Sequence, residues 1–436
     1  MFLFYEIDVN QMKIREDFLH YLWKLKKIDF SDLTTTDGEP VSIIQSGTNN
    51  SDSGPDFFNA KVRISDTVWV GNIEIHVYAS DWLKHNHQND PAYNNVILHV
   101  VYDNDVNIKF NNGVNVPTIE IKDRIPKGYL RKYKLLKKNE GWIPCDSRIL
   151  DINTLTVVNT LEKAIIDRLT QKTLRVRELF HAVNSDWNQT FYIFLSRYFG
   201  MKVNADAFEM LSKSIDYKIV LAEKDSLHKL EALLFGQAGF LNEEFEEEYP
   251  LSLQKSYQHL ETKYNLNSIP ISVWKFSKLR PANFPTIRIA QMASVLFKSE
   301  NIFRQILEIE DLDKIKSLFK IEVSGYWLEH YKFGEKSTFK KKRFGKNAIN
   351  ILIINTIVPL LFFYGEYNNI EAYKSRAVEL LSKIEPESNS IINAWKKLNI
   401  PVKSAYDSQA LLQMKLNNCD SFKCLECPIG NEIMNN

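Results

Sequence analysis

The sequence predicts an α/β core with a mixed sheet, followed by a mainly α-helical domain. Three observations predict it. Between Pro40 and Ile121 apolar residues come in short runs, several alternating at two-residue steps, which is the strand period. From Asp151 onward three- and four-residue spacing takes over almost entirely. The first 120 or so residues read helix, three strands, helix, strand, the order of a mixed sheet with helices on its faces.

The elements follow in order. Lys13 to Lys27 sets Ile14, Phe18, Leu22 and Leu25 on one helical stripe, with Glu16 and His20 one turn apart on another side. After the turn-rich Thr34–Gly38, Pro40–Gln45 reads as a first strand. Gly47–Gly54 is a polar loop, Phe57–Ile64 a second strand, Ser65-Asp66-Thr67 a turn and Val68–Tyr78 a third strand. Ser80-Asp81 is expected to cap a short helix, Trp82–Gln88. Asn95–Tyr102 is a strand buried on both faces, and Asn107–Phe110 with Val116–Ile121 a hairpin around Asn111-Asn112-Gly113. Strict alternation puts Glu74 and His76 on one face with Val68 and Val70, and Ile73, Ile75 and Val77 on the other; the sheet is then buried on both sides.

The expected domains are a core over 13–123, a basic helix and linker over 124–150, and a helical region over 151–436. The basic helix, Ile125–Asn139, carries Lys127, Arg131, Lys132, Lys134, Lys137 and Lys138, a solvated face or a phosphate contact. Further helices are expected at Leu161–Val176, Trp187–Phe199, Ala205–Ser214 and Lys218–Leu234.

Composition excludes several classes. With 55 Lys plus Arg against 54 Asp plus Glu, the net charge is +1, so any polyanion-binding surface must be local. Four cysteines are too few for a disulfide scaffold in 436 residues. The apolar opening Met1–Tyr5 lacks a basic n-region and is interrupted by Glu6 and Asp8, which argues against a signal peptide; Met12 is an alternative start. Ile349–Tyr364 is greasy but holds Asn350, Asn355, Thr356 and Pro359, and reads as a core helix and not as a membrane span. A cytoplasmic protein without a membrane anchor is expected.

Chemistry concentrates at Ser53-Gly54-Pro55-Asp56-Phe57 and at Glu74 and His76. The hairpin between them brings Asp56 and Glu74 to one end of the sheet, where two carboxylates and the Ile75 carbonyl can hold Mg²⁺ or Mn²⁺. Glu16 is a candidate further ligand. His76 can act as a general base or draw the site toward Mn²⁺ or Zn²⁺. Lys61, on the neighbouring strand, has the opposite parity to Asp56. Five of the nine histidines, His20, His76, His85, His87 and His99, fall in the first 99 residues. A zinc-dependent hydrolase with its ion on His76, His85, His87 and Asp56 is therefore a rival, against packing roles for His20 and His99.

The pair Pro55-Asp56, then Glu74-Ile75-His76 in this element order, resembles the PD-(D/E)XK nuclease superfamily. That resemblance implies a restriction-endonuclease-like core, an acidic residue in the first helix (Glu16), metal-binding Asp56 and Glu74, and hydrolysis of DNA or RNA. It also implies a lysine where His76 stands, which leaves a catalytically inactive nucleic-acid-binding or structural protein as an alternative. The chain is identified as a member of an uncharacterised bacterial family, DUF2851, on Glu16–Trp23, Ser53–Phe57, Gly71–His76, Leu98–Tyr102 and Arg280–Pro285. This assigns no function.

Cys419-x4-Cys424-x2-Cys427, with Cys145 in Gly141-Trp-Ile-Pro-Cys, suits a zinc ion or a 4Fe–4S cluster, against four free thiols. Some nucleases of the resembled superfamily clasp such a cluster with one distant and three C-terminal cysteines, although there the distant one precedes the core. Two patches interleave aromatic and basic residues: Trp274–Pro285 leading into Arg288, and Lys340–Lys346. Lys275, Arg280, Arg288, Lys341, Lys342, Arg343 and Lys346 are the expected nucleic-acid contacts, against packing roles.

Overall fold

The computed structural model of the chain describes residues 14–50, 52–138 and 141–436. The apolar opening, Met12, Lys13 and Asn139 lie outside the described residues. The chain forms two compact units, one of residues up to Thr160 together with Met414–Asn436, the other Leu161–Gln413. The segment 124–150 is thus part of the first unit and not a linker, and the last residues return to that unit instead of closing the helical region.

In the first unit seven strands form one sheet: β1 Leu33–Thr34, β2 Pro40–Gln45, β3 Thr48–Asn49, β4 Phe57–Ile64, β5 Thr67–Tyr78, β6 Val96–Asp103 and β7 Thr118–Glu120. Their order is β1-β2-β4-β5-β6-β7, with β3 beside β4. The pairs from β1 to β5 are antiparallel, whereas β5–β6 and β6–β7 are parallel. The expected hairpin before β7 is reduced to a single bridge, Lys109 to Asn115, and β7 pairs with β6 instead.

Helix α1, Glu16–Lys24, buries Phe18, Leu19, Leu22 and Trp23, and places Glu16 and Asp17 at its positive end. It stops where Lys26 turns left-handed at φ 52°, with the Lys27 N–H returning to the Leu22 carbonyl. Helix α2, Asp81–Lys84, ends well short of Gln88. Ser80 does not cap it; its hydroxyl bonds Asp105, and Asp81 accepts the Tyr78 N–H. Helix α3, Lys127–Lys138, stacks Tyr133 on Phe18 of α1, and its Lys132 and Lys137 donate to the Met434 and Phe422 carbonyls. Its basic residues therefore serve packing as well as solvation.

One irregularity sets the faces of the sheet. Phe57 pairs with Ile73 but Ala60 with Gly71, so β4 has one extra residue, and Asn59 sits left-handed at φ 56°. The bulge flips parity along β4. Asp56, one step beyond the Phe57–Ile73 pair, lies opposite Glu74, and Lys61 (opposite Val70) and Arg63 (opposite Val68) come to that same face. Lys61 thus shares the face of Asp56, contrary to strict alternation. Here the sheet is not doubly buried: Lys61, Arg63, Val68 and Val70 are all exposed. Double burial holds from Ile73 to His76 and along Val96–Val101.

The second unit is helical, with Trp187–Phe199 and Ala205–Lys213 close to expectation. The expected Lys218–Leu234 helix breaks into Tyr217–Ala222 and Leu227–Gln237. Among the described residues one helix, Lys346–Tyr367, is long and apolar enough to cross a membrane, and 78% of its apolar window is buried inside the fold. Pro359 lacks an N–H for the preceding turn, and the helix passes through a wider π segment, Ile353–Ile357, just before it.

Gly71 lets β5 lie close beside β6. A β-carbon there would stand 2.5 Å from both the Asn95 carbonyl oxygen and Ile97 Cγ2. Gly71→Ala should cost about 1–3 kcal/mol of stability, read by urea unfolding. An unchanged midpoint would mean the strands can part without loss.

Candidate metal and acid–base site

The β4–β5 register sets Asp56 and Glu74 face to face, and two backbone contacts lock them. The Asp56 N–H donates to Glu74 Oε2 at 3.2 Å, and Asp56 Oδ2 accepts the Ile75 N–H at 2.9 Å. From α1, His20 Nε2 comes within 3.1 Å of Asp56 Oδ2. Glu16, one turn earlier, lines with Arg15, Asp17, His20 and Val77 a cavity of about 460 Å³. Asp56 and Glu74 do not line this cavity, but Glu16, Asp56 and Glu74 act on one another electrostatically, and the structure adds His20 to them. Its signal was the one-turn spacing from Glu16 on the polar side of an amphipathic helix.

On its other side Glu74 meets imidazoles. Parallel pairing puts His99 of β6 beside Glu74, and His76 Nδ1 lies 2.9 Å from His99 Nε2. His76 Nε2 lies 3.1 Å from His85 Nδ1 and 3.5 Å from Glu74 Oε1. His87 Nε2 is 3.3 Å from that same oxygen. The Glu74 carboxylate is the acid that meets these rings, whereas the Asp56 carboxylate faces Ile75 and His20. The early end of α2 makes this possible. Asn86, left-handed at φ 62°, turns the chain between His85 and His87. Trp82 packs edge-on to His87, and Tyr93 stacks on it at 3.7 Å. His76 is buried with both ring nitrogens engaged, and it does not line the cavity.

Burial dominates the electrostatics. It pushes Glu74 up to about 9, and the facing Asp56 charge pushes the same way. Burial, reinforced by the neighbouring imidazoles, holds His76 down to about 2; burial holds His99 down to about 3 and lowers His87. Glu16 is raised by burial and by Asp56, against the lowering effect of His85 and His20. For His20 burial acts downward, but the hydrogen bond and charge of Asp56 outweigh it and raise the ring. Two carboxylates held together with little solvent are disfavoured as a pair of anions, and a cation relieves that. The oxygens of Asp56, Glu74 and Glu16 are of the type that hard cations take, and the nitrogens beside Glu74 are of the type that borderline ions take.

The four cysteines all lie in the first unit, and their thiols act on one another electrostatically. Burial, then the other thiols, pushes Cys145 up to about 12; Cys419 is raised for the same reasons, and Cys424 rises to about 11 with Lys137 pulling against it. Cys427 begins the helix Pro428–Asn435, where Gly430 is required because a β-carbon would lie 1.9 Å from the Cys424 carbonyl oxygen.

The second unit treats the expected nucleic-acid contacts unevenly. Arg288 is buried, bonded to Gln291 and Asn283 and packed over Phe344, with burial holding it down to about 10. Lys342 is buried over the Tyr331 ring. Trp274 donates to the Ala238 carbonyl inside the fold, so it offers no stacking face. These residues pack. Arg343 pairs with Glu322 and Lys346 with Glu385 at the surface. Lys275, Arg280 and Lys341 are exposed.

Fold and site together define an α/β protein with a carboxylate pair clamped at a sheet end and backed by histidines. The family described as protein of unknown function (DUF2851) matches residues 16–390, and the chain belongs to it. No curated protein and no solved structure matches.

In the metal-free fold Glu74 keeps its proton to about pH 9, whereas unfolded it releases it near ~4.3. The folded state binds more protons in that window, so Glu74 lowers stability as pH rises through it. Glu74→Gln cannot ionise. Its stability relative to wild type should therefore rise by more than about 1 kcal/mol between acid and mildly alkaline pH, read by unfolding in chelator. A gap that stays constant would show that Glu74 is ionised in the fold.

Proposed function

We propose that this chain is a metal-dependent hydrolase of phosphodiester bonds in DNA or RNA, built on a restriction-endonuclease-like core. The carrying observation is the clamp that faces Asp56 toward Glu74 beside a cavity edged by Glu16 and His20. The fold part of the reading is analogy, from the helix-strand order and the place of each acid in it.

Asp56 and Glu74, with Glu16, would hold Mg²⁺ or Mn²⁺. Such an ion would neutralise charge on a scissile phosphate and make a water more acidic. His20 contacts Asp56 and lines the cavity, which suits it to move a proton there. His76, in the lysine position, orients Glu74 and the rings around it; it is a positioning residue. Lys61 and Arg63, exposed on the face of Asp56, offer cations to a nucleic-acid backbone, as do Lys275, Arg280 and Lys341. The burial of His76 also favours a second reading, a core that binds nucleic acid without cutting it. The thiol locus would carry a 4Fe–4S cluster or a structural Zn²⁺. Reduced thiols also fit a cytoplasmic location.

With linear, nicked and single-stranded DNA and RNA plus Mg²⁺ or Mn²⁺, cleavage is expected. Asp56→Ala and Glu74→Ala should each lower it by about 100-fold or more, the equivalent of roughly 3 kcal/mol. Cleavage that survives both changes overturns the hydrolase. Binding without cleavage under every condition selects the second reading. Iron with broad visible absorbance in the purified protein supports the cluster, and stoichiometric zinc lost in Cys145→Ser supports the structural ion. Neither metal, in protein prepared without air, leaves free thiols.

A further inference from the structure

The geometry points to a second kind of metal donor set: His76, His85 and His87, with Glu74 Oε1, form a nitrogen-rich site for a borderline divalent transition ion, Zn²⁺ foremost. One ligand atom from each of the three rings lies within 4.8 Å of the others. Three separations in the set, 3.1 Å (His76 to His85), 3.3 Å (His87 to Glu74) and 3.5 Å (His76 to Glu74), approach the edge of a ligand tetrahedron. For bonds of ~2.0–2.1 Å that edge is ~3.3 Å.

Three imidazoles and one carboxylate are the donors that Zn²⁺, Co²⁺ and Mn²⁺ accept and that Mg²⁺ does not seek. The supports around the rings match the role. His99 meets the far nitrogen of His76 at 2.9 Å, fixing its tautomer and orientation, and Trp82 and Tyr93 hold the His87 ring. His87 Nε2 is buried and makes no hydrogen bond, a condition that buried polar atoms rarely keep. His85 stands at the surface, which gives the ion a way in. Packing alone would explain aromatic neighbours. It does not explain three ring nitrogens gathered together, two of them facing one carboxylate oxygen.

This site shares Glu74 with the proposed hydrolase, but its test does not depend on catalysis. The full chain, stripped of metal, is titrated with Co²⁺ in competition with a chelator and read by visible absorbance; metal content is measured after Zn²⁺ loading. One equivalent held through nitrogen and oxygen donors is expected, separate from any cobalt on the cysteines, which alone adds a near-ultraviolet thiolate band. His85→Ala, a surface change that spares the fold, should weaken binding at least 10-fold. His99→Ala should weaken it by about 10–100-fold by releasing the His76 ring. Asp56→Ala, which removes an oxygen donor outside this set, should leave it within a few-fold. Equal affinity in wild type and His85→Ala, or no uptake by folded wild type, overturns the site and leaves a hydrogen-bonded chain of imidazoles. Binding that follows this pattern in a protein without cleavage would sink the hydrolase alone.

Discussion

Two hydrogen bonds from backbone N–H groups to carboxylates, Asp56 N–H to Glu74 and Ile75 N–H to Asp56, fix the two acids at the end of the sheet. They bring two acids together where solvent is scarce. Such an arrangement survives only if something answers the charge: a retained proton, an apposed imidazole or a bound cation. The surroundings supply the first two. Glu74 keeps its proton well above the carboxylate range, and His20 moves up against Asp56. A cation would replace both.

The clamp depends in turn on a single inserted residue. Without the bulge at Asn59, β4 would alternate unbroken from Asp56, and Lys61 and Arg63 would turn into the apolar face that Val62 and Ile64 now fill. With it, the acids and the two cations share a face while the core stays apolar. Strand boundaries at Pro40–Gln45 and Phe57–Ile64 were legible because alternation and turn residues are local signals. The facing was not, since a bulge leaves those signals intact and shifts only what lies beyond it. Asn86 is a similar case. Helical spacing over Trp82–Gln88 hides one left-handed residue, and that residue creates the histidine turn.

Cations show the opposite failure. A run such as Lys341-Lys342-Arg343 looks uniformly solvated, yet Lys342 lies under a tyrosine ring while its neighbours face out. Arg288, one turn into a helix, is buried against Phe344 by contacts from distant segments. Long basic side chains have stems apolar enough to be buried, and only tertiary context decides which are. The thiols behaved differently. The tail spacing was visible, but its return to the first unit beside Cys145 is a long-range fact of the fold.

Glu74 is where the two donor sets meet, and that constrains what each can be. One oxygen faces the Asp56 backbone and the other faces His76 and His87. A carboxylate so divided cannot be optimised for hard, hydrated cations on one side without also presenting charge to the imidazoles on the other. Burial holds His76 and His99 far below the usual imidazole range and lowers His87, which favours the neutral form in which an imidazole nitrogen ligates. The lysine that the proposed resemblance implies at position 76 would offer no imidazole nitrogen to this set. On the proposed reading, histidine there does more than remove an amine: it sets a ring nitrogen 3.5 Å from Glu74 Oε1, among other imidazoles.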